Sequence, residues 1–113
     1  MSILVIAEHN NQQLNPATLS ALAAAVALDS TIDLMVAGSD CQAVIDQASQ
    51  IACITKVIAA DNSACEHFLA ENIAPRIADN ASGYTHILAA ATTTAKNIMP
   101  RVAALLDVQA ISD

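Results

Sequence analysis

Four short apolar runs, each followed by a stretch with helical spacing, constrain this chain more than any other feature. The runs are Ile3 to Ala7, Ile32 to Ala37, Lys56 to Ala60 and roughly Thr85 to Ala90. None shows the strict polar–apolar alternation of a half-solvated strand, so both faces of each must be covered. Strands alternating with helices give a parallel sheet with helices on both sides. The predicted fold class is α/β, a three-layer α/β/α sandwich with a parallel, doubly wound sheet and right-handed crossovers. Gln109 to Ser112 reads as the start of a fifth strand.

Punctuation between the runs supports this order. Asn15-Pro16 opens the first helix: Asn caps it, and Pro sits where its missing N–H costs nothing. Leu19, Leu22, Ala23 and Val26 follow at helical spacing, and Asp29-Ser30-Thr31 ends the helix. Gly38 stops the second strand. Ser39 with Gln42, and Ser63 with Glu66, have the spacing of capping boxes. The first opens a helix with Val44, Ala48 and Ile51 on one face. The second opens a helix striped by Leu69, Ile73 and Ile77, with Pro75 predicted to kink or break it. Gly83 marks the turn into the fourth strand. The last helix presents Ile98, Val102 and Leu105.

Length and composition set the limits. A chain of 113 residues makes one domain, residues 1–113. Alanine supplies much of its apolar content and aromatics are nearly absent, so the layers should pack closely. The net charge is −7, with only Lys56, Arg76, Lys96 and Arg101 as cations. That disfavours nucleic acid and anionic membrane surfaces, which need clustered Lys and Arg. The acidity serves solubility or contact with a basic partner. Cys41, Cys53 and Cys65 match no zinc or redox spacing. Cys53 reads as a core residue. Cys41 lies at a helix start, where the dipole would lower its pKa and Asp40 would oppose that. No segment has transmembrane length and the start is no signal peptide, so the expected location is cytoplasmic. The abrupt end after the last strand points to a domain cut from a longer polypeptide.

Open α/β sheets place functional groups at the carboxyl ends of their strands. Here that edge offers His86 to Ala91, then Thr92-Thr93-Thr94, then a helix with Lys96, Asn97, Pro100 and Arg101. Thr92, Thr93, Lys96, Asn97 and Arg101 are candidates for an interdomain or anion contact, against the plainer readings of N-capping and a solvated face. Phosphate cradles of the dinucleotide and Walker types need glycine-rich loops, and Gly38 and Gly83 do not form one. A phosphoacceptor site would find Asp61 and Thr92 suitably placed, but too few carboxylates for Mg²⁺ and no Lys after the fifth strand. His9, beside Glu8 at the end of a strand, is the best placed of three histidines for catalysis. His86 reads as structural and His67 as solvated. No catalytic or metal-binding group is assigned.

At these residues the chain resembles a known family. The matching pieces are Ile3-Leu-Val-Ile-Ala-Glu8-His9, Leu14 to Leu19, Val36-Ala37-Gly38, Ile51-Ala52, Lys56-Val57, Ala70-Glu71 and Tyr84-Thr85-His86. The most specific are Ala91-Thr92 and Lys96-Asn97-x-x-Pro100-Arg101-Val-Ala-Ala-Leu-Leu-Asp107, and Ile111-Ser112-Asp113 also fits. Over essentially its whole length the chain is similar to the N-terminal domain of the electron transfer flavoprotein alpha subunit. The resemblance implies an adenine nucleotide alpha hydrolase-like fold. It also implies an electron carrier, an alpha–beta heterodimer with one FAD. Such carriers take electrons from flavin dehydrogenases, including those of fatty acid beta-oxidation, and pass them to a membrane quinone oxidoreductase and the respiratory chain. In the family the FAD lies in a C-terminal domain that this chain lacks, and the N-terminal domain packs with the beta subunit. The beta subunit's glycine-rich AMP loop has no counterpart here. No FAD contact is therefore expected on any residue of this chain, and no enzyme activity of the domain alone. The competing expectation is a free-standing α/β protein that binds an adenine nucleotide or anion at Thr92 to Thr94.

Overall fold

A computed structural model describes residues 2–28, 31–65, 70–81, 83–84, 86–90 and 98–103. The elements run β1 (Ser2–Ile6), α1 (Pro16–Leu28), β2 (Thr31–Gly38), α2 (Gln42–Ser49), β3 (Lys56–Asp61), a 3₁₀ turn (Ser63–Cys65), α3 (Ala70–Asn80) and β4 (His86–Ala89). Residues 98–103 are also helical. The four strands form one sheet in the order β3-β2-β1-β4, and every pairing is parallel. The expected fifth strand lies outside the described residues.

Alternate residues of each strand feed two separate cores. Ile3, Val5, Ile32, Leu34 and Val36 meet Ala21, Leu22 and Ala25 of α1 and Val44 and Ala48 of α2. Leu4, Ile6, Met35 and Ala37 meet Ile73, Ala74 and Ile77 of α3, and Ile98 and Val102 of the last helical segment. The chain is thus the three-layer sandwich that the apolar runs demand, with α1 and α2 on one face. Burying each Leu, Ile or Val contributes about 1.5–3 kcal/mol. The direction of winding reverses at β1, which pairs with both β2 and β4. Such a reversal opens the crevice where this class of sheet places its ligands.

Local expectations fared unevenly. Asn15 caps α1 through Oδ1, which accepts from the Ala17 N–H at 2.9 Å. Val44 and Ala48 are buried, and Ile51 packs against the same core from beyond the end of α2. Helix α3 runs through Pro75 without a break. Proline there leaves the Glu71 carbonyl without its helical donor, but both residues are exposed and water can replace it. The Ser39–Gln42 capping box does not form: the residue before α2 is Cys41, and no side chain of its own caps the helix. Ser63 opens a 3₁₀ turn instead of an α-helix, while Glu66 and Leu69 lie outside the described residues. Cys53 is exposed and is not a core residue. It falls in the turn between α2 and β3, clear of both apolar layers.

Candidate functional site at the carboxyl rim of the sheet

The rim is assembled from the segments that leave β1, β2 and β3. After β1 the chain folds back on itself, with His9 bridged antiparallel to Leu14. Thr18, fully buried in α1, fixes this segment. Its hydroxyl accepts from the Glu8 N–H at 2.9 Å and donates to the Glu8 carbonyl at 3.0 Å. The Asn15 N–H donates to that same carbonyl at 2.8 Å.

His9 is the centre of the rim. It is buried. The Asn11 N–H donates to its Nδ1 at 2.9 Å, so Nδ1 carries no proton. Its Nε2 lies 2.9 Å from the Ala37 carbonyl and therefore donates to it, which fixes the neutral Nε2–H tautomer. Burial holds the imidazole below its ordinary pKa of 6.5, and the Ala37 hydrogen bond only partly offsets this. His9 thus locks the ends of β1 and β2 together. Two ring nitrogens committed to backbone leave little for general acid–base work.

The sign of its pH dependence follows. Below pH 6.5 the unfolded chain takes up a proton that the folded chain resists. Stability contributed by His9 is complete above that pH and declines below it, by at most about 1.4 kcal/mol per pH unit. Urea midpoints should therefore fall between pH 7.5 and pH 5.5. The fall should shrink in His9→Gln; an unchanged fall would show that His9 is not its source.

Beyond β2 the rim donors are again taken up internally. The Asn11 Oδ1 accepts from the Ser39 N–H at 3.0 Å, and the Asn62 N–H donates to the Gly38 carbonyl at 2.8 Å. Asp61, at the end of β3, supplies the cap that the local sequence does not. Its Oδ1 accepts from the Asp40 N–H at 2.8 Å and its Oδ2 from the Cys41 N–H at 3.3 Å. A carboxylate at the start of a helix also meets the positive end of its dipole. Asp61→Ala is expected to cost about 0.5–2 kcal/mol, as for other lost caps. A thermal midpoint unchanged from wild type would refute that. Burial, then the charge of Asp61, pushes the Cys41 thiol up, so this cysteine is not an activated nucleophile.

Arg101, exposed, follows Pro100 in the helical segment 98–103. The other candidates, Thr92, Thr93, Lys96 and Asn97, lie outside the described residues, as do Thr94 and His67. His86 opens β4 with its side chain exposed. The sequence reading gave no part to Thr18 or Asn11. Neither has a local signature, because each acts on backbone from another element. Among the described residues no group of His, Cys, Asp and Glu is placed to hold a metal ion.

FAD or a nucleotide would need N–H groups facing its phosphates. Those of Asn11, Ser39, Asp40 and Cys41 are engaged by His9, Asn11 and Asp61. The space over Gly38 is filled by the His9 and Asn11 side chains. The rim between β1 and β3 therefore does not fit a flavin site.

Fold and rim together define a parallel, doubly wound α/β domain whose β1–β3 edge is closed by its own side chains. Residues 3–113 match the family described as the electron transfer flavoprotein domain, and the chain belongs to that family. It is 52% identical over 113 residues to an electron transfer flavoprotein subunit alpha of Pseudomonas aeruginosa, covering all of this chain and 37% of that protein. The subunit alpha of Paracoccus denitrificans is 45% identical, with 37% of its length covered. The mitochondrial subunit alpha of Dictyostelium discoideum is 44% identical, with 97% of this chain and 33% of that protein covered. The chain thus spans about a third of the length of these relatives. Among the described residues no helix is long and apolar enough to cross a membrane.

Proposed function

We propose that this chain is the N-terminal scaffold domain of an electron transfer flavoprotein alpha subunit. In this reading residues 1–113 form one domain of a longer alpha polypeptide. A C-terminal domain of that polypeptide carries the FAD, and a beta subunit completes the heterodimer. The assembly carries electrons from flavin dehydrogenases, acyl-CoA dehydrogenases among them, towards a quinone oxidoreductase of the respiratory chain. It works in the cytoplasm, and this domain itself catalyses nothing. The match to alpha subunits along the whole chain supports the reading most directly. The engagement of rim N–H groups by His9, Asn11 and Asp61 agrees with it, because a domain that grips no phosphate can satisfy those donors itself.

The alternative, adenine nucleotide or anion binding at Thr92 to Thr94, is disfavoured by the family match. Thermal melting separates the two. A ligand that binds only the folded state at a hundredfold its Kd stabilises by about 2.7 kcal/mol. Millimolar AMP or ATP should leave the melting temperature of the chain unchanged. A dose-dependent rise would favour the alternative. Within the proposed reading, Thr92, Thr93, Lys96, Asn97 and Arg101 serve as interdomain contacts.

A further inference from the structure

We draw no further inference here: the strongest candidate, the buried Asp33 carboxylate in β2, whose Oδ2 accepts from the Tyr84 hydroxyl and whose Oδ1 has no partner among the described residues, carries nothing, because Oδ1 is shut off from solvent and no cluster of ligating side chains among the described residues shows what it would bind.

Discussion

Gly38→Ala is expected to destabilise the fold by about 1–3 kcal/mol, the usual cost of forcing atoms into filled space. The strain would fall on the rim and not on the strand itself. A Cβ at Gly38 would come within 2.5 Å of the Asn11 Oδ1 and 2.6 Å of the His9 Cε1. Neither neighbour can move cheaply. His9 is held at both ring nitrogens, and Asn11 is held by Ser39 with its own backbone in the left-handed region at φ 72°. Asn11→Gly would remove one obstruction and suit that φ, but the His9 ring would remain. The double variant Gly38→Ala/Asn11→Gly should therefore recover only part of the loss. Urea unfolding of the four forms measures this coupling. A Gly38→Ala chain as stable as wild type would show that the rim is loose.

Tyr84→Phe is the second large effect, expected at about 2–3 kcal/mol. Asp33 is buried in the middle of an otherwise apolar strand. The Tyr84 hydroxyl donates to its Oδ2, and Oδ1 has no partner among the described residues. Removing the hydroxyl would leave both oxygens wanting, and an unsatisfied buried group costs its full desolvation. Asp33→Leu should cost less, because the half-buried Tyr84 hydroxyl can turn to water. Replacing both partners by apolar groups approaches neutrality. The pair Tyr84→Phe/Asp33→Leu should therefore be more stable than Tyr84→Phe alone. Chemical denaturation of the three variants decides it; equal losses for Tyr84→Phe and the double variant would exclude the carboxylate as the cause.

The same contact predicts a limit at high pH. Burial, then the hydrogen bond to Asp33 and its charge, pushes the Tyr84 hydroxyl up from 10.0 to about 12. The unfolded chain releases that proton first, so stability is full below pH 10 and falls as pH rises towards 12. Tyr84→Phe should lack this component of the alkaline loss.

Sequence was a good guide wherever the physics is local. Apolar runs from Ile3 and Ile32 become strands buried on both faces because, Asp33 apart, their side chains leave water at no cost in hydrogen bonds. Asn15-Pro16 starts a helix because both the cap and the missing N–H act within one turn. It was a poor guide where partners are distant. Ser39 and Gln42 have the spacing of a cap, yet Asp61 wins, from across β3 and 21 residues from Asp40. His9 next to Glu8 resembles an acid–base pair, but only the fold brings the Ala37 carbonyl, 28 residues on, against its ring. Cys53, between apolar neighbours, belongs to a turn that no layer covers. Thr18 has no motif at all, because its partner is the backbone leaving β1. Family membership, by contrast, was readable from the runs around Pro100-Arg101 before any contact was known.

In the proposed function this domain supports a flavin held elsewhere. The direct measurement is flavin retention. The folded chain is incubated with excess FAD, passed through a desalting column and read by its visible spectrum. A longer alpha polypeptide co-expressed with its beta subunit serves as the positive control. A colourless chain beside a yellow control is the expected result. A yellow chain with one FAD per molecule would contradict it.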